Sequence, residues 1–113
     1  MKSIIKTGIS VIVAGLLISC SSDTKTAELK LASIQCGMCT SNVETAVADL
    51  EGVSKVEVDL DNKIGKVTYK ASIIDLAAIE KAIAAVGYDA NNTKADPEVY
   101  ADLAMCCKLP EDQ

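Results

Sequence analysis

The chain has 113 residues, with 11 Lys, no Arg, 16 Asp or Glu, and a formal net charge of −5. That length holds one domain once any targeting segment is set aside, and the acidic balance argues against a nucleic-acid binder, which needs a basic face to displace counterions. The absence of His excludes Cys/His zinc sites, Ser-His or Cys-His nucleophiles and a His proton shuttle. Half the residues are hydrophobic but only 3% are aromatic, so the core must be Val, Ile, Leu and Ala. Five Cys make thiol the chemistry to look for.

Residues 1–20 read as a secretory signal. Lys2 and Lys6 supply a positive n-region, and Ile9 to Ile18 is an apolar run broken by Ser10 and Gly15. The run falls short of the roughly 20 apolar residues of a membrane span and suits a signal h-region. Its exit, Leu17-Ile18-Ser19-Cys20, resembles the bacterial lipobox. That resemblance implies cleavage before Cys20, so that 1–19 is removed and Cys20 carries the lipid. It also implies a chain held to a membrane from outside rather than threaded through it. Ser21 in the next position resembles lipoproteins sent to the outer membrane of a two-membrane bacterium. Residues 20–27 are then a polar tether between lipid and domain.

Leu29 and Leu31 alternate with polar neighbours, so residues 28–34 read as a strand. A loop carrying Cys36-Gly37-Met38-Cys39 follows. Val43, Ala46, Val47 and Leu50 then mark a helix stopped by Gly52. Val56, Val58 and Leu60 alternate as a half-buried strand. The turn Asp61-Asn62-Lys63 leads into a return strand with Gly65, Val67 and Tyr69 on one face. Ser72 to Asp75 reads as a capping box, and Leu76, Ile79, Ile83 and Val86 form a helical stripe closed by Gly87. Tyr88 to Thr93 has room for a short edge strand. The order β-α-β-β-α-β makes a split βαβ, an α+β domain over 28–93 with an antiparallel sheet and both helices on one face. Residues 94–113 form a tail: Asp96-Pro97 opens a short helix, and Met105-Cys106-Cys107 follows.

Cys36 and Cys39 sit between a strand and the start of a helix, where unpaired backbone N–H groups stabilise a thiolate. Two sulfurs on one tight loop can grip a soft d¹⁰ ion, Cu(I) above all, and leave the site open for transfer. The same spacing also suits half a zinc site, a redox dithiol or a structural disulfide. The redox alternative is a thiol–disulfide oxidoreductase using Cys36 and Cys39, with the tail pair as a resolving shuttle. Neither the expected thioredoxin-like order nor an aromatic and Pro near the motif is present.

Residues 28–90 resemble the heavy-metal-associated domain of copper chaperones, metal-pumping ATPase N-termini and periplasmic mercury-binding proteins. Cys36 and Cys39 fall on that family's paired metal ligands. The segment from Cys39 to Val47 is similar to its first helix, Leu50-Glu-Gly-Val to that helix's exit, and Gly87-Tyr88-Asp89-Ala90 to its closing turn. The resemblance implies a ferredoxin-like fold that binds a soft metal through two thiolates without catalysis. Ser33-Ile34 replace the family's usual Gly-Met before the motif, and Ile34 is expected to fill the apolar space that Met takes. Tyr88 matches an aromatic near the metal loop in many bacterial members.

Adjacent thiols bridge only through a strained eight-membered ring, so Cys106 and Cys107 are candidate further ligands, folding back toward Cys36 and Cys39. That arrangement would favour Hg(II), Cd(II), Zn(II) or a tightly held Cu(I), and would turn a transfer site into a sequestering one; Met105 is a candidate thioether aid. The expectation is an envelope protein, lipid-anchored through Cys20 and facing the periplasm or exterior. Its cargo is Cu(I) or Hg(II), and its partner a metal-transporting ATPase or an efflux or uptake protein.

Overall fold

A computed structural model describes residues 23–113; the expected signal and the lipidation position Cys20 lie outside them. Three strands form the sheet: β1 (Thr24–Lys30), β2 (Val53–Asp59) and β3 (Ile64–Lys70), in the order β1-β3-β2 and all antiparallel. Two helices, α1 (Gly37–Ala48) and α2 (Leu76–Ala85), pack together, and the fold is the expected ferredoxin-like α+β arrangement. The tail adds α3 (Pro97–Ala101) and two 3₁₀ turns, Met105–Cys107 and Pro110–Asp112.

Alternation sets the layers. Leu29, Val67 and Tyr69 point to one face and are buried with Leu31, Val43, Val47, Ile79, Ile83 and Tyr88. Glu28, Lys30, Lys55, Glu57, Lys66 and Lys70 lie on the opposite face and are exposed. Gly65 lies opposite Leu29 and leaves room for Leu31, whose Cδ1 would sit 3.0 Å from a Cβ there.

Four expectations shift. β1 begins at Thr24 and ends at Lys30 rather than covering 28–34. Residues 24–27, read as tether, pair with Lys70 to Val67, and Thr26 Oγ1 lies 3.3 Å from Thr68 Oγ1. The apolar alternation was too weak there to be read, although β-branched Thr suits a strand. The Ser72–Asp75 capping box does not form. Asp75 itself caps α2, accepting from the Ala78 N–H at 2.9 Å, and the Ser72 hydroxyl bonds the Asp23 carboxylate instead. Tyr88 to Thr93 forms no ladder strand, only one bridge between Ala90 and Thr93. Asn91, at φ 53°, takes the place of a strand: its N–H donates to Lys30 O and its Oδ1 accepts from Lys30 N–H, each at 2.8 Å. Glu80 steadies this turn by accepting from Asn91 Nδ2 and Thr93 Oγ1. On the other sheet edge, Glu44 of α1 accepts from the Val58 N–H at 3.2 Å.

The tail docks through named contacts. Asp96 caps α3 by accepting from the Glu98 and Val99 N–H groups, with Pro97 at the first helical position. Leu103 packs on Gly87. Tyr100 OH donates to Asp112 at 2.6 Å and accepts from the Leu109 N–H at 2.8 Å. Gly87 is needed twice over: its φ is +102°, and a Cβ there would lie 3.1–3.2 Å from Leu103.

Gly87→Ala should therefore cost about 1–3 kcal/mol, seen as a fall of several degrees in Tm. Gly37→Ala, whose Cβ would meet nothing within 4 Å, should leave Tm at or slightly above the parent value. Equal Tm values for the two variants would contradict this account of the tail's docking.

Candidate metal centre

The loop between β1 and α1 is fixed before any sulfur is reached. Leu31 N–H donates to Lys63 O at 2.8 Å, and Ile34 N–H turns back to Leu31 O at 3.2 Å. Ile34 is fully buried in the core, filling apolar space as expected. Ser33 is buried too, and its Oγ accepts from the Asp89 N–H at 2.9 Å, tying the loop to the turn after α2. Cys36 is the residue before α1, in extended conformation, and its carbonyl accepts from the Cys39 and Thr40 N–H groups. Cys36 thus stands just outside the helix and Cys39 within its first turn. Thr40 Oγ1 closes that turn on Gly37 O at 2.7 Å.

All four cysteines of the described residues are free thiols, and the tail brings the two pairs together. Cys36 Sγ lies 3.6 Å from Cys39 Sγ, 3.4 Å from Cys106 Sγ and 3.8 Å from Cys107 Sγ. The sulfurs of Cys36, Cys106 and Cys107 all fall within 4.8 Å of one another. Cys39 and Cys107 are buried, Cys36 is half-buried and Cys106 is exposed. Met38 and Met105 are exposed.

The environment separates the thiols. The Cys39 backbone amide and then the Cys106 thiol favour the anionic form of Cys36, and its pKa falls to about 7 against a small opposing effect of burial. Burial, followed by the neighbouring Cys39 thiol, pushes Cys107 up to about 12, with the Tyr88 hydroxyl pulling the other way. Cys106 is raised, chiefly by its contact with Cys36. Tyr88 is buried and its hydroxyl is held in the neutral form by burial; it accepts from Asn42 Nδ2 at 2.9 Å and borders Cys107 and Cys39. One sulfur is therefore ready as a thiolate at neutral pH. Cys106 and Cys107 are held toward the protonated form.

Sulfur-only ligands without a hard oxygen among them suit a soft d¹⁰ cation. Sequence reasoning missed Ser33 as the loop's anchor and Asn42 as the residue orienting Tyr88. Asn42 was within reach, since it follows Cys39 by three and so shares its helix face. The Ser33–Asp89 bond spans 56 residues and left no local signal.

A model of the family described as "Heavy-metal-associated domain" matches residues 28–89. The copper chaperone CopZ of Staphylococcus epidermidis is 38% identical over 61 residues, covering 54% of this chain and 90% of that protein. Copper-transporting ATPase 1 of Rattus norvegicus is 35% identical over 63 residues, which is 56% of this chain but only 4% of the ATPase's own length. Among solved structures, oxidized MerP from Ralstonia metallidurans CH34 superposes with a TM-score of 0.59 at 31% identity, over 60% of this chain and 94% of that one. A CopZ metallochaperone gives 0.57 at 32% identity, over 58% and 98%. With the family model spanning more than half its length and this fold and thiol pair in place, the chain belongs to the heavy-metal-associated domain family.

Proposed function

We propose that the chain captures a soft metal ion as cargo through Cys36 and Cys39 in the bacterial cell envelope, for handover or sequestration, with Cu(I) the leading cargo and Hg(II) the next. The observation that carries this is the sulfur pair 3.6 Å apart at a strand-to-helix corner, one of the two poised as thiolate near neutral pH. CopZ is a copper chaperone by name and the matched ATPases are copper-transporting, which supports copper. Hg(II) rests on the same preference of soft ions for thiolate. The oxidoreductase alternative gains no support from the family or from these relatives.

Transfer would proceed by ligand exchange. An incoming thiolate adds to the bound ion, a higher-coordinate intermediate forms, and one original sulfur leaves with a proton from solvent. The chain has no catalytic role in this reading. The partner is a metal-transporting ATPase or an efflux or uptake protein, and the chain's exposed carboxylates fit a partner surface bearing Lys or Arg. Lipid anchoring through Cys20, facing the periplasm or exterior and at the outer membrane where two membranes exist, completes the proposal. Among the described residues no helix is long and apolar enough to cross a membrane.

Anaerobic titration of the reduced protein against a chromophoric Cu(I) chelator tests the cargo. The parent should take up Cu(I) in competition, and Cys36→Ser/Cys39→Ser should lose that uptake; undiminished binding by the double variant would end the proposal. Thiol alkylation of the metal-free protein gives a second test. The lowered Cys36 pKa means that its thiolate is present above about pH 7 and protonated below, so the first alkylation rate should rise with pH through an inflection near 7. An inflection only near that of an ordinary thiol would contradict the assigned environment. Metabolic labelling with a radioactive fatty acid should mark the parent and not Cys20→Ser; equal labelling would remove the anchor.

A further inference from the structure

Two sulfurs suffice for the capture just described, yet the tail delivers two more to the same point. Cys106 and Cys107 arrive from 70 residues further along the chain, on a 3₁₀ turn of their own. Contacts that involve no sulfur hold them there: the Asp96 cap, Leu103 on Gly87, and Tyr100 bound to Asp112 and to the Leu109 N–H. Cys107 is buried beside Cys39 and Tyr88.

Three of the sulfurs already cluster: those of Cys36, Cys106 and Cys107 lie within 4.8 Å of one another, and Cys39 joins them through its 3.6 Å approach to Cys36. A tetrahedral site with metal–sulfur bonds of about 2.3 Å has sulfur–sulfur edges of about 3.8 Å. Three of the six edges, those from Cys36 at 3.4, 3.6 and 3.8 Å, match that length to within a few tenths of an ångström. The donors differ in access as well, since Cys106 is exposed and Cys107 is not. An idle disulfide between neighbours in sequence would need a strained ring, and the two are free thiols.

We infer that Cys106 and Cys107 complete a closed four-thiolate site with Cys36 and Cys39, in which the tail acts as a clasp that retains a divalent d¹⁰ ion of the class of the Hg(II) cargo proposed above, Cd(II) and Zn(II) included. This rests on the capture reading above and deepens it. Two sulfurs leave coordination positions open for handover, whereas four close them. On loading, metal–sulfur bonds form as the thiol protons pass to solvent. Cys106, at the surface, is the ligand an outside thiolate reaches first, so release of cargo begins at the tail.

The test uses the full reduced chain and Cd(II) as probe, with X-ray absorption to count sulfurs and competition titration to give affinity. The parent should show four Cd–S contacts and Cys106→Ser/Cys107→Ser two. The double variant should bind more weakly by at least the roughly 10–100-fold that loss of a mere outer-sphere partner costs. Because Cys107 is buried and its replacement can disturb packing, Cys106→Ser alone serves as the second variant and should show three. Two sulfurs and equal affinity in parent and variants, with binding still lost in Cys36→Ser/Cys39→Ser, would overturn the clasp and leave the pair's capture role standing. Failure of every form to bind either Cd(II) or Cu(I) would overturn both.

Discussion

The site depends on one constraint, the burial of the strand-to-helix loop against the turn that follows α2. Ser33 and Ile34 lie beneath the surface, Ser33 hydrogen-bonded to the Asp89 N–H and Ile34 packed into the aliphatic core. Asp89 in turn accepts from the Ala95 N–H at 2.9 Å, so the same residue passes the loop's position on to the start of the tail. A buried polar group that is fully paired fixes geometry more firmly than apolar packing does, because slipping would leave it unsatisfied. The loop that carries Cys36 and the start of the tail that carries Cys107 are thereby tied to the same residue.

Local chemistry carried most of the fold into the sequence. The alternation of Val56, Val58 and Leu60, the turn at Asp61–Lys63 and the stripe Leu76, Ile79, Ile83 each reflect a burial pattern seen in the structure. The C-x-x-C pair was equally legible at the helix start, although the helix begins at Gly37 and takes in Cys39, which the sequence reading left in the loop. What did not show was contact over distance. The capping box failed because Asp75 was the better-placed acceptor and Ser72 found Asp23, 49 residues away. The missing last strand was likewise invisible, since one Asn in left-handed conformation does its hydrogen bonding. The approach of Cys106 and Cys107 was inferred from the oddity of adjacent thiols. The means of approach, Leu103 filling the space above Gly87, could not be read from a Leu and a Gly 16 residues apart.

Cys36, Cys106 and Cys107 are chemically graded. Backbone amides at the start of α1 act on Cys36, while burial acts on Cys107, and the two influences have opposite sign. A cluster of four thiolates without a cation would be strongly self-repelling. Protonation of the tail thiols lets the cluster stay compact without a cation, and in the proposed site an incoming ion would replace protons rather than reorganise the protein. Sulfur–hydrogen contacts are weak, and the approach of the tail thiols is held instead by Tyr100, Leu103 and Asp96.

Asn91 and Glu44 have a consequence of a different sort. An open sheet edge is a template on which another copy can add a strand. Asn91 occupies both backbone groups of Lys30 on the β1 edge, and Glu44 occupies the Val58 amide on the β2 edge. Each flank is thus occupied at one position, by the backbone and side chain of Asn91 on β1 and by the Glu44 carboxylate on β2. A strand added by another copy would have to displace these bonds at Lys30 on one flank and at Val58 on the other.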